Sequence, residues 1–63
     1  MTTTIRTERK GDYSISVEID KAGIYETRLC RLWDESHGTI VKSYKSIDRE
    51  KAMSAYRRYR KEI

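Results

Sequence analysis

The last quarter of the chain, residues 48–63, constrains the fold most. Ala52, Ala55, Tyr56, Tyr59 and Ile63 recur at helical spacing on one arc, and Glu50, Ser54, Arg57 and Lys61 fall opposite them. This predicts one amphipathic helix. Nothing upstream has that period, so the preceding residues must form the surface that receives the arc. Ser46 and Asp48 both suit the helix start, and Asp48 and Glu50 suit its positive end. Arg57, Arg58, Arg60 and Lys61 crowd the last turns, as the helix dipole favours.

The remaining chain reads as strands. Residues 13–20 alternate cleanly, with Tyr13, Ile15, Val17 and Ile19 on one side and Ser14, Ser16, Glu18 and Asp20 on the other. Lys21-Ala22-Gly23 is a short turn with glycine placed for a positive φ, so the next strand returns antiparallel. Residues 24–33 are strongly β-prone but do not alternate. Tyr25, Leu29 and Trp33 point one way; Ile24, Cys30 and Leu32 point the other. Either the strand is covered on both faces, or a bulge near Arg28 or Arg31 switches its parity. Asp34 to Gly38 reads as a polar loop, and residues 39–45 as the next strand, with Ile40 and Tyr44 sharing a face and Val41 opposite. Residues 2–9 hold Thr3, Ile5 and Thr7 on one side, either as an edge strand or as a frayed terminus. The expected architecture is α+β: a three- or four-stranded antiparallel β-meander followed by one C-terminal helix packed on one sheet face.

Sixty-three residues make a single small domain with a thin core, burying only about 60% of the surface its unfolded chain exposes. Domains of this size lean on disulfides, metals or association. Cys30 is the only cysteine and His37 the only histidine, so neither a disulfide nor a Cys/His zinc site is expected, and association remains. A lone cysteine, no apolar leader and no apolar run of membrane-spanning length fit a cytoplasmic chain with no membrane contact. Fourteen basic residues against ten acidic ones give a formal charge of +4, which permits anionic partners without demanding them.

Catalysis needs a nucleophile, a base or a metal in a concave site. His37 sits in a solvated loop. Cys30 lies in an apolar strand, where it is most simply a core or interface residue. Asp34 and Glu35 are adjacent, with no third carboxylate nearby. No glycine-rich phosphate loop occurs. The expectation is a binding module that is not an enzyme, with no cofactor and no small-molecule substrate.

A strand opening Tyr25-x-x-Arg28-Leu29, a loop ending in Gly38, a strand ending Tyr44-x-Ser46 and a helix led by acidic residues and Ala52 form a loose pattern. Over roughly residues 13–60 it resembles the three-stranded-sheet-plus-helix DNA-binding domains, namely the arm-binding N-terminal domains of tyrosine recombinases and the ethylene-response type of plant transcription factor. The resemblance implies DNA read in the major groove by the sheet face away from the helix, through Arg28, Arg31, Lys42 and Lys45. The competing expectation is a protein-interaction module, a homodimer, adaptor or inhibitor, using the apolar side chains Ile24, Cys30, Leu32 and Trp33. An uncovered sheet face that is basic favours the first; one that is apolar favours the second.

Overall fold

The computed structural model describes residues 2–35 and 37–63; Met1, and Ser36 of the expected 34–38 loop, lie outside the described residues. Four strands precede one helix: β1 (Thr3–Lys10), β2 (Tyr13–Ile19), β3 (Tyr25–Leu32), β4 (Gly38–Ser46) and α1 (Arg49–Glu62). The strands form one antiparallel sheet in the order β1-β2-β3-β4, a meander with β1 and β4 at its edges. The helix crosses one face, packing on β2, β3 and β4. The stretch 2–9, open between strand and frayed end, thus joins the sheet from Thr3 onward as its first edge.

The helix forms where its pattern and cap coincide. Asp48 is extended, and its carboxylate accepts the Glu50 N–H at 2.9 Å; Ser46 Oγ in turn accepts the Asp48 N–H at 3.0 Å. The expected arc is the buried one: Ala52, Ala55, Tyr56 and Tyr59 are buried, and Ile63 packs at the rim. The two alanines bring the helix backbone close to the sheet. The two tyrosines supply area, each contributing roughly 1.5–3 kcal/mol on full burial.

Beneath the helix lie Ile15 and Val17 of β2 and Thr27 and Leu29 of β3, in the cross-strand pairs Ile15↔Leu29 and Val17↔Thr27. Thr27 is fully buried, and its hydroxyl donates to the Ala52 carbonyl at 2.9 Å. A polar residue is therefore part of the core, satisfied by the helix backbone. This resolves the uneven reading of β3. The strand keeps strict parity against β2, with Tyr25, Thr27 and Leu29 toward the helix and Glu26, Arg28 and Cys30 away from it. The alternative of a bulge near Arg28 or Arg31 is not met in β3; the bulge lies on β4, where Leu29 pairs with Lys42 and Cys30 with Ile40, leaving Val41 as the extra residue. Trp33 lies just beyond β3 and is 69% exposed; it stacks on His37 and donates from Nε1 to Thr39 Oγ1 at 3.2 Å.

A second bulge sits in β1, where Thr4 pairs with Glu18 and Arg6 with Val17. The extra residue, Ile5, packs against the core. Past the bulge, Arg6, Glu8 and Lys10 share the helix side and Thr7 the other, so Thr3, Ile5 and Thr7 do not line one face. The Arg6 guanidinium lies 5.2 Å from the Tyr56 ring centre. Tyr56 donates its hydroxyl to Glu8 at 2.7 Å, and Arg60 pairs with the same carboxylate at 3.2 Å. Burial, then the bond to Glu8, raises the Tyr56 phenol above its ordinary pKa, with Arg6 opposing. The polar strand β1 is thus tied to the helix by charged and aromatic contacts.

No helix among the described residues is long and apolar enough to cross a membrane.

Candidate functional site

Strand parity divides the four strand cations of the expected DNA interface. Lys42 pairs with Leu29 on the helix side, where its ammonium bonds the Glu62 carboxylate at 2.8 Å and lies 6.0 Å from the Tyr59 ring centre. Arg31 has the parity of Leu29 and sits on that side too, exposed at the strand end. Only Arg28 and Lys45 occupy the face away from the helix.

The open face is laid out in cross-strand rows. Thr4, Glu18, Glu26 and Lys45 form one; Thr7, Ser16, Arg28 and Ser43 form the next; Arg9, Ser14, Cys30 and Ile40 form the third. Glu18 and Glu26 are directly opposed, which by itself is unfavourable. Arg28 bridges them, at 3.4 Å from Glu18 and 2.8 Å from Glu26. The hydrogen bond to Glu26, partly offset by burial and aided by the charge of Glu18, raises the guanidinium pKa further. Its Nε is buried with no partner among the described residues. The central cation of the open face is therefore neutralised within the chain, and the face is polar and charge-mixed.

Nor do the alternative interface residues form one surface. Ile24 precedes β3 at one end of the sheet, lining a depression with Glu18, Glu26 and Lys45. Leu32 closes β3 at the other end, where it lies across Gly38; a Cβ on Gly38 would come within 2.8 Å of Leu32 Cδ2 and 2.7 Å of the Arg31 carbonyl. Cys30 is half-buried two residues before it. The exposed large apolar side chains besides Trp33 are Ile40, Val41, Tyr44 and Ile47, all on β4 or just after it.

The carboxylates are mostly engaged inside the fold. Glu8 holds Tyr56 and Arg60, Glu18 and Glu26 hold Arg28, and Glu62 holds Lys42. Asp20 accepts the Ala22 and Ile24 N–H groups in the β2–β3 turn, Asp34 bonds His37, and Asp48 caps the helix. The cations of α1 are freer. Arg49, Arg57 and Lys61 form no ion pair among the described residues; Arg57 bonds only Ser54 Oγ, at 3.3 Å. With Met53 they make an i, i+4 row along the helix. A shallow groove of about 380 Å³ continues the row, lined by Lys10, Arg57, Arg60, Lys61 and Ile63, with no acidic side chain in its lining. Lys10 reaches it from the end of β1, donating to the Ile63 carbonyl at 3.0 Å.

Among the described residues, no three His, Cys, Asp or Glu side chains are grouped to hold a metal. His37 bonds Asp34 at 3.0 Å on an exposed turn. No protein-family model matches the chain, and neither curated proteins nor solved structures give a significant match.

Proposed function

We propose that this protein is a non-enzymatic nucleic-acid-binding module whose phosphate-contacting surface is the β1-side flank of α1, built from Lys10, Arg49, Arg57 and Lys61 with help from Arg60. The carrying observation is the row of cations without ion pairs along one helix, continued by a groove that has no acidic side chain in its lining. The helix dipole accounts for Arg60 and Lys61 in the last turn. It does not account for Arg49 in the first turn, where a cation is disfavoured. From Arg49 to Lys61 the row spans about 18 Å at 1.5 Å per residue, enough to follow several phosphates of a duplex. The open sheet face is the weaker choice, because Arg28 already has two carboxylate partners and Lys45 stands across from Glu26.

Fluorescence anisotropy with labelled duplex and single-stranded oligonucleotides at low salt tests this reading. About four phosphate contacts give a log–log salt slope of roughly −3 to −4. Arg57→Glu and Lys61→Glu abolish binding, while Lys21→Glu, in the distant β2–β3 turn, leaves most of it. Loss with Lys45→Glu but not with Arg57→Glu moves the site to the open sheet face. No binding of either oligonucleotide at low salt ends the nucleic-acid reading.

A protein-interaction role has a separate observation in its favour: the exposed apolar side chains gather on the edge strand β4.

A further inference from the structure

The two edges of the sheet differ. β1 carries Arg6, Glu8, Arg9 and Lys10 and is bent by the bulge at Ile5. Charge and bulges are the usual protection of an edge strand against pairing; β4 has a bulge as well, at Val41, but its regular part follows it. β4 is nine residues long and exposed along all but its last residue, and nothing among the described residues pairs with its outer side. It carries Ile40 at 55% and Val41 at 50% exposure, and Ile47 just beyond it stands at 82%. One of its two lysines, Lys42, is drawn onto the helix by Glu62 and so does not guard the edge.

We propose that β4 pairs with β4 of a second copy of this chain, antiparallel about a two-fold axis through Tyr44, joining two sheets into one of eight strands. The register follows from the sequence of the edge. The bulge at Val41 leaves Lys42 to Ser46 as the regular segment, and Tyr44 is its centre. That centre sets Lys42 against Ser46 of the second copy and Ser43 against Lys45, so no lysine opposes a lysine. It also brings Val41 toward Ile47 of the second copy at both ends of the seam. An axis through Lys42 would oppose the two Lys42 side chains and draw the bulge into the ladder.

The helix side of the seam is self-complementary as well. A groove of about 390 Å³ lies between β4 and α1, floored by Tyr44 and Tyr59. Asp48, Glu50 and Lys51 stand at its end by the helix start, the two carboxylates outweighing the lysine, and Arg58 stands about two turns on. A two-fold axis at Tyr44 inverts that order, turning the acidic end of each groove toward the Arg58 end of the other. A surface with opposite charges at its two ends matches itself under this symmetry. The cation row of the nucleic-acid reading lies on the other flank of the helix, so the two proposals stand or fall separately.

The contact is small, at or below the roughly 1,200 Å² of standard interfaces, so association belongs in the micromolar range or weaker. Sedimentation velocity from roughly 10 µM to roughly 1 mM covers that range. The expected result is a mass rising with concentration from 7.5 kDa toward twice that value. Tyr44→Lys sets like charges across the axis and weakens dimerisation by about tenfold or more. Ile47→Asp, at a side chain too exposed to matter for folding, weakens it too. An equimolar mixture of Tyr44→Lys and Tyr44→Glu chains restores the dimer, because only residues on the axis meet their own counterparts. A mass of 7.5 kDa across the whole range overturns the proposal. So does a dimer indifferent to Ile47→Asp, or a mixture that stays monomeric.

Discussion

Replacing Tyr56 by Phe removes one oxygen and keeps the ring that fills the centre of the core. The lost group is the donor to Glu8, at 2.7 Å, that ties α1 to the edge strand β1. Bonds to charged acceptors contribute about 1.5–3 kcal/mol. Glu8 keeps Arg60 and is 30% exposed, so the lower end applies, about 1.5 kcal/mol. Unfolding entropy of about 2.1 cal/mol/K per residue then places the loss in melting temperature near 10 °C. Urea titration at neutral pH measures the same difference directly. The pH dependence tests its origin. Burial and the Glu8 bond raise the folded pKa of Tyr56 above its unfolded value of 10.0. The stabilisation is therefore whole below about pH 10 and is lost as pH rises through the folded pKa. The other four tyrosines are common to both proteins, so the difference between wild type and Tyr56→Phe isolates this phenol. That difference shrinks above about pH 10. Equal stability at neutral pH, or a difference that stays constant into alkali, would refute the reasoning.

Tyr59→Ala empties a buried site between α1 and the sheet and costs about 3–5 kcal/mol, most of the stability such a domain has; an unchanged melting temperature counts against the packing described. Arg28→Ala leaves Glu18 and Glu26 opposed without their bridge and costs about 1 kcal/mol, read by urea titration. Adding Glu26→Gln to Arg28→Ala recovers part of that loss; no recovery means the guanidinium acts through packing alone.

The helix and the β2 face were legible because each repeats a single period without interruption. The arc of Ala52, Ala55, Tyr56 and Tyr59 and the alternation of Ile15 and Val17 both lie where the residues place them. β3 was harder for a definable reason. Thr27 reads as polar yet belongs to the core, since its hydroxyl finds the Ala52 carbonyl. Counting it among the inward residues restores the alternation of Tyr25, Thr27 and Leu29. β1 was ambiguous because its inward side chains past the bulge are Arg6, Glu8 and Lys10. Hydropathy cannot place a strand that is held by a phenol hydroxyl and a cation over a ring. The bulges at Ile5 and Val41 fall at β-branched residues with no glycine beside them, so composition gave no sign of either.

The strand cations teach a different lesson, since the signal that divides them was present in the numbering. Arg28 and Arg31 are three apart on one strand, as are Lys42 and Lys45 on another, and residues three apart on a strand face opposite ways. On a helix the periodicity works the other way: Arg49, Arg57 and Lys61, separated by multiples of four, share a side. Grouping cations by residue type alone gathers the first four and overlooks the second three. Ion pairing was the part no periodicity could supply. Glu18 and Glu26 neutralise Arg28 only because the β2–β3 register sets them opposite each other with the guanidinium one row away. Glu62 reaches Lys42 only because the helix returns over β4. Which cations stay without an ion pair is thus decided by the register of the sheet and the path of the helix, and it became readable only once both were fixed.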